Sequence, residues 1–300
     1  MYIHNLTLQR FRGAQDLSLE LDDKLNVFVG MNGAGKSSIL DASAIMLSWL
    51  ANRIKHAGAS GRPIAESDIK NGESSANLAI QLCDEGTYFG WNLAKVRKGH
   101  SKKDLASVLI SASEKAKGIQ AGITEHNGKV NIPLFAYYPV NRAVLDIPLR
   151  IREKHQFGLL SAYEESLTSG ANFRTFFEWF REREDLENEN RKYKDDRIKP
   201  DDFQFPDPQL TAVRRALEIF MPDFQNLTVR RQPLRMEVTK RGQRLTVNQL
   251  SDGEKCLMAM VGDLARRMAI ANTEREDPLL GGGIVMIDEI DLHLHPKWQR

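Results

Sequence analysis

One short segment constrains this chain more than any other part of it. The segment is Gly30-Met31-Asn32-Gly33-Ala34-Gly35-Lys36-Ser37, which matches the pattern G-x-x-x-x-G-K-[ST] at every fixed position. Its glycines allow the backbone to wrap around an anion, so that N–H groups and a helix N-terminus face the phosphates. The apolar residues 27–29 predict a buried strand before it, and helical periodicity predicts a helix after it. The segment therefore predicts the strand, loop and helix of an α/β phosphate-loop protein.

The chemistry of this loop predicts roles for the lysine and the serine at the end of the pattern. Lys36 is expected to supply a cation to the β and γ phosphates, and the Ser37 hydroxyl is expected to ligate Mg²⁺. The other residues expected to bind nucleotide here are Asn32, Gly33, Ala34, Gly35 and Ser38. ATP and Mg²⁺ are the expected cofactors.

A second segment supplies the acidic groups. Four apolar residues, 284–287, are followed by Asp288 and Glu289, as in a buried strand that delivers carboxylates to its C-terminal edge. By itself this pattern is equally typical of a strand end with solvated acids. Together with the phosphate loop it predicts that Asp288 binds on the Mg²⁺ side and that Glu289 is the general base for the attacking water.

Composition narrows the class of protein. The 300 residues carry 42 Lys and Arg against 40 Asp and Glu, which leaves too little net charge for a basic surface over the whole chain. Cys83 and Cys256 lack metal-site spacing, so we expect two core thiols in a reducing compartment. Because there is no long apolar run and no signal-peptide pattern, a cytoplasmic protein without a membrane segment is expected.

A third segment is Leu250-Ser251-Asp252-Gly253-Glu254-Lys255. Ser251 and Glu254 fit a capping box at the start of a helix, which is the simpler interpretation. The segment also resembles the signature sequence of ABC-type ATPases, in its long distance from the phosphate loop and its short distance from the acidic strand. The resemblance implies a head-to-tail pair of protomers around ATP, with Ser251, Gly253 and Glu254 at the nucleotide of the partner.

Further segments resemble the RecF, SMC and OLD-like branch of these ATPases. The first is Leu8-Gln9-Arg10-Phe11-Arg12-Gly13, in which the resemblance implies that Arg10 or Arg12 approaches the nucleotide. The second is Asp288-Glu289-Ile290-Asp291-Leu292-His293-Leu294-His295-Pro296, whose two histidines are expected to serve loop packing rather than a metal. Segments 137–142 and 172–180 are most similar to the stand-alone ATPases of Septu and retron-associated anti-phage systems.

The resemblance implies a fold, a function and partners. The fold is an α/β phosphate-loop NTPase: an ABC-ATPase head with a mixed sheet, an antiparallel β subdomain and a mostly helical insertion. The function is an ATPase that dimerises around ATP and regulates an effector, with an HNH-type nuclease subunit, a retron reverse transcriptase with its nucleic acid, and DNA as candidate partners. Two rivals remain open: a RecF-like repair ATPase that binds duplex DNA, and an ATP-bound scaffold with little turnover.

The expected domains are a nucleotide-binding core of residues 1–150 and 210–300 and an inserted helical segment, 151–209. Within that insertion, 14 of the 20 residues from 178 to 197 are charged, which predicts a solvated helix or a partly disordered arm. The aromatic residues before it are expected to pack at the base of the arm. The glutamine that joins the Mg²⁺ shell in the family stays unassigned between Gln81 and Gln156.

Overall fold

The computed structural model describes residues 1–100, 106–140, 143–144, 156–168, 170–195, 199–200 and 203–290. The chain divides into two compact units. The first comprises Met1–Tyr137, Glu165–Thr168 and Gly282–Asp288, and the second comprises Tyr138–Glu164, Ser169–Gly281 and Glu289–Arg300. The sequence-based division at residues 150 and 209 differs from this grouping and stays a prediction.

The regular elements of the described residues are numbered in chain order. The strands are β1 (Tyr2–Phe11), β2 (Ala14–Glu20), β3 (Ser75–Asp84), β4 (Thr87–Val96), β5 (Leu134–Tyr138), β6 (Ala143–Val144), β7 (Ala171–Asn172), β8 (Phe224–Arg231), β9 (Leu234–Lys240), β10 (Gln243–Thr246) and β11 (Gly283–Ile287). The helices are α1 (Lys36–Lys55), α2 (Ile110–Glu125), α3 (Phe173–Asn190), α4 (Pro208–Phe220) and α5 (Asp252–Ala271). Helices occur with both antiparallel and parallel strand pairs, which confirms the expected mixed α/β class.

The first unit contains a four-stranded antiparallel sheet in the order β2-β1-β3-β4. Leu6 and Leu8 point to its buried face while Thr7 between them lies on the other face, the period-two pattern typical of a strand with one buried face. The hairpin between β3 and β4 turns at Glu85 and Gly86, whose φ angles are +50° and +80°. Two successive left-handed residues match the twist of the flanking strands, as tight hairpin turns require.

The second sheet of this unit is the pair β11-β5, and β5 is buried along its whole length. The predicted strand at residues 27–29 is wrong in this structure. Residues 25–30 are outside any strand, and Val27 and Val29 are 71% and 91% exposed. An extended segment becomes a buried strand only where a neighbouring strand takes its backbone groups, and among the described strands none pairs with residues 25–30.

The second unit contains α3, α4 and α5 with the three-stranded antiparallel sheet β10-β9-β8. One face of that sheet is apolar and buried, with Val229, Met236 and Val238. Helix α5 is buried along most of its length and packs against α4.

The charged segment of α3 is helical but only partly exposed to solvent. Five aromatic side chains of its first half are fully buried: Phe173, Phe176, Phe177, Trp179 and Phe180. Glu184 and Glu187, in the charged half, are also buried, and they bind Arg231 and Arg214 respectively. The predicted helix is therefore present, but it is only partly solvated, because acids on one side of it meet arginines that lie far along the chain.

Candidate nucleotide-binding site

The phosphate loop has the backbone that its sequence predicts. Gly33 and Gly35 have φ angles of +82° and +93°, a region that side chains with a Cβ atom rarely adopt. Gly35 caps α1, and the first helical bond runs from the N–H of Ile39 to the carbonyl oxygen of Gly35 at 3.1 Å. The loop residues from Met31 to Ala34 and the Ser37 side chain are exposed. The N-terminus of α1 is therefore open to an incoming anion.

Lys36 folds back over this loop. Its ammonium donates hydrogen bonds to the carbonyl oxygens of Gly30, at 2.7 Å, and Met31, at 3.0 Å. Both acceptors are neutral, so the positive charge of Lys36 is not neutralised by these contacts. An anion at the loop would meet an ammonium group already held beside it.

Asp288 follows β11 in the same unit and is 4% exposed. Burial, with the carboxylates of Asp41 and Asp288, raises the pKa of Tyr137 to about 12. The Tyr137 phenol, at the end of β5, is therefore neutral at physiological pH and lies within electrostatic range of both carboxylates. The sequence prediction missed Tyr137 and Asp41 as neighbours of the site. The pairing of β5 with β11 reveals Tyr137, and the contacts of Arg12 and Arg62 with Asp41 reveal Asp41.

Arg12 is held by two carboxylates rather than left open. Its guanidinium donates to Asp68 at 2.9 Å and also to Asp41 on α1, which in turn accepts from Arg62. Burial opposes the charge of Arg12, but the hydrogen bonds to Asp68 and Asp41 raise its pKa above the usual value. The structure thus gives Arg12 a role in anchoring α1, and its predicted approach to the nucleotide stays a prediction.

Arg10 lies at the same end of β1. Its Nε atom donates to the carbonyl oxygen of Ser75 at 3.3 Å. Arg10 and Arg12 both have positive φ angles, +52° and +49°. Such backbone is strained for residues with a Cβ atom, and strain of this kind concentrates at functional sites. The predicted role of Arg10 at the nucleotide likewise stays a prediction.

The signature-like segment lies in the second unit at the start of α5. The predicted capping box is present: the Ser251 hydroxyl accepts from the N–H of Glu254 at 3.4 Å, and the Glu254 carboxylate accepts from the N–H of Ser251 at 3.0 Å. Glu254 also binds Lys240. Burial works against its charge, yet these bonds keep the pKa of Glu254 below its usual value. Glu254 therefore points at its own helix, whereas Ser251 is exposed and Gly253 half-exposed.

Glu289, the predicted general base, is grouped with the second unit. Its side chain is exposed, and its φ angle is +45°, a strained value for a glutamate. His293 and His295, with Asn141 and Arg142, lie outside the described residues. Gln81 is exposed on β3, opposite Gly90, and Gln156 is exposed beyond β6. Neither position supports assigning the residue to the Mg²⁺ shell.

The residues present fit Mg²⁺ by their donor chemistry. Ser37 and Asp288 offer a hydroxyl and a carboxylate in the same unit, and oxygen ligands are those that Mg²⁺ takes. Among the described residues no group of three or more His, Cys, Asp or Glu could hold a metal ion.

Comparison with known proteins shows the family to which the chain belongs. The profile of the family described as "AAA domain" matches residues 5–219. The chain belongs to this AAA-domain family. The "Retron Ec83 probable ATPase" of Escherichia coli is 32% identical to this AAA-domain chain, over 99% of the chain and 64% of the relative. The "Retron Vc95 probable ATPase" of Vibrio cholerae serotype O1 biovar El Tor is 29% identical, over 99% of the chain and 66% of the relative.

The AAA-domain chain thus spans about two thirds of the length of these curated relatives. A solved structure of the recombination mediator protein RecF covers 96% of the chain, and the chain covers 85% of it, at 13% identity and a TM-score of 0.46. The expected resemblance to retron-associated ATPases is confirmed. No helix in the described part of the chain is long and apolar enough to cross a membrane.

Proposed function

We propose that this chain is the nucleotide-binding part of an ATPase that binds ATP with Mg²⁺, closes around it as a head-to-tail pair and hydrolyses it. One observation carries the proposal: the phosphate loop, with Lys36 at the start of α1, lies in the same compact unit as the buried carboxylate of Asp288. The similarity to two probable ATPases over 99% of the chain supports it.

Each side chain has a role in this mechanism. The backbone N–H groups of residues 33–38 and the Lys36 ammonium bind the phosphates, because the helix N-terminus and the cation both favour negative charge. Ser37 and Asp288 would hold Mg²⁺, which neutralises charge on the phosphates when bound. Glu289 accepts the proton of the attacking water, and its exposed side chain leaves room for that water.

The second copy supplies the other half of the site. Ser251 and Gly253 stand at the start of α5 and are open to solvent, so the N-terminus of α5 can meet the γ phosphate of a partner protomer. Glu254 serves the same site indirectly, because its capping box fixes the backbone of Ser251.

The proposed biological role is the regulation of an effector in anti-phage defence. The retron-associated relatives support it, and an HNH-type nuclease subunit and a reverse transcriptase with its nucleic acid are the proposed partners. In this role ATP closes the pair, hydrolysis opens it, and the partner performs the cleavage.

The test is the mass of the protein in solution with and without ATP and Mg²⁺, for the wild type, Glu289→Gln and Lys36→Ala. Glu289→Gln keeps the shape of the side chain but removes the base, so we expect it to accumulate as an ATP-bound pair. Lys36→Ala, the matched control, should bind no ATP and keep the mass of the free protein. If Glu289→Gln hydrolyses ATP at the wild-type rate without a change in mass, the proposed mechanism is wrong.

A further inference from the structure

The three-stranded sheet of the second unit has one face that the nucleotide site does not use. Its strands alternate, so that Val229, Met236 and Val238 point into the core. The opposite face carries three arginines, one on each strand: Arg230, Arg235 and Arg244. We call this surface the arginine face. Arg230 and Arg244 are exposed, and the Arg235 side chain is 40% exposed.

Two of these arginines repel each other. Arg230 on β8 lies directly opposite Arg235 on β9 in the antiparallel register. Like charges at such positions destabilise a sheet, because their Cβ atoms are only about 5 Å apart. Arg235 is bonded to Glu237 on its own strand, whereas Arg230 and Arg244 form no ion pair with any residue that the structure describes. The Arg230–Arg235 pair therefore does not stabilise the sheet.

The other cations of the same sheet form ion pairs with acids. Arg231 binds Glu184 and Asp185, Lys240 binds Glu254, and Arg241 binds Asp223. These acids lie outside the sheet and neutralise charges at its edge and on its buried side. The arginine face receives no such acid from the described part of the chain beyond Glu237.

The remaining groups on this face are polar: Glu237 is buried at its centre, and Gln225 lies opposite Thr239. Thr228, Thr239 and Thr246 share it with the arginines. Arg244 is opposite Thr239, four residues beyond Arg235, which places the two ends of the charged row about 13 Å apart along the strand. The large exposed apolar side chains of the described chain include none from residues 224–246, all of which are described. A protein partner normally needs an apolar centre in its interface, whereas a nucleic-acid interface is polar and positively charged.

We propose that the arginine face binds the phosphate backbone of a nucleic acid. Guanidinium groups match phosphate oxygens in pairs, and hydroxyls of the threonines can donate to the same oxygens. Phosphates would also neutralise the repulsion between Arg230 and Arg235. The removal of this repulsion lowers the free energy of the bound state relative to the free protein. The inference rests on the proposed function for its nucleic-acid partner but does not require ATP turnover.

The test compares two double variants of the full chain. The face variant is Arg230→Gln with Arg244→Gln, and the matched control is Arg215→Gln with Arg241→Gln. The control removes the same charge from two exposed arginines of the same unit that are already bound to Asp277 and Asp223. Binding to a labelled single strand and to its duplex is measured by fluorescence anisotropy over a salt series, with poly-glutamate as a second probe. ATP hydrolysis and urea unfolding are measured in parallel.

The proposal predicts that the face variant binds DNA at least about tenfold more weakly near 0.1 M salt, with a salt slope shallower by about two, while the control stays within about twofold of the wild type. It also predicts unchanged ATP hydrolysis and unfolding midpoints no lower than wild type in the face variant, because a repulsive pair has been removed. Equal losses in both variants, or no loss in either, would overturn it. Poly-glutamate that binds as tightly as DNA and is lost with the face variant would also overturn it, in favour of an acidic protein partner.

Discussion

The second unit contains a fully buried group of charges, and its removal gives the sharpest stability prediction. Asp263 on α5 is 0% exposed and accepts hydrogen bonds from Arg266 at 2.8 Å, Arg267 at 2.7 Å and the Tyr138 hydroxyl at 3.0 Å. Burial opposes its charge, but the two arginines keep the pKa of Asp263 below its usual value. Arg267 also donates to the carbonyl oxygens of Ala162 and Glu164, at 2.8 Å each.

Asp263→Ala would leave two guanidinium groups in a buried site without their anion. Arg266 and Arg267 are only 1% and 3% exposed, so water cannot replace the lost carboxylate. Breaking a buried pair in this way costs about 3–5 kcal/mol. With a urea slope of about 3 kcal/mol per M, the unfolding midpoint should fall by about 1–1.7 M.

The assay is urea unfolding followed by circular dichroism at neutral pH. Asp252→Ala on the same helix is the control, because Asp252 is 86% exposed and its pair with Lys255 is a surface pair worth at most about 1 kcal/mol. Tyr138→Phe, which removes one donor, should fall between the two. If Asp263→Ala lowers the midpoint no more than Asp252→Ala does, the buried charges are not mutually stabilised as described here.

Three further outcomes are expected. Gly262→Ala should destabilise the protein by about 1–3 kcal/mol in the same urea assay, because a Cβ atom there would lie 2.8 Å from the Phe176 ring. Lys36→Ala should abolish the rise in melting temperature that ATP with Mg²⁺ gives to the wild type, and an unchanged rise would contradict its role. Glu254→Gln should be less stable than wild type at pH 7, because the bond to Lys240 stabilises only the carboxylate. Folding lowers the pKa of Glu254, so the difference should persist down to the ordinary glutamate range and be lost as the pH falls through the lowered pKa of the folded state. Unfolding curves at several pH values decide this.

Local sequence patterns predicted those features of the fold that depend only on interactions between neighbouring residues. The turn at Glu85 and Gly86 and the left-handed backbone of Gly33 and Gly35 follow from residue type and spacing. The capping box of Ser251 with its glutamate is likewise confined to one helical turn. These features need no distant partner, so the sequence contained all that was required.

Features that depend on distant partners were not predictable in the same way. The exposure of Val27 depends on which strand lies beside it, and the burial of Glu187 depends on Arg214, which lies 27 residues later in the chain. Asp41 joined the candidate site only because Arg12 and Arg62 converge on it. The roles proposed for Glu289 and Ser251 rest on chemistry and resemblance, and the Glu289→Gln measurement tests the first of them.

Strand β5 ends in two adjacent tyrosines that serve different surroundings. The carboxylates of Asp41 and Asp288 help to raise the pKa of Tyr137, while the Tyr138 hydroxyl donates a hydrogen bond to Asp263. Neighbouring side chains of a strand point to opposite faces, so the loss or gain of one residue before Tyr137 would exchange the two phenols unless a bulge absorbed it. The length of β5 ahead of the two tyrosines is therefore constrained as tightly as the tyrosines themselves.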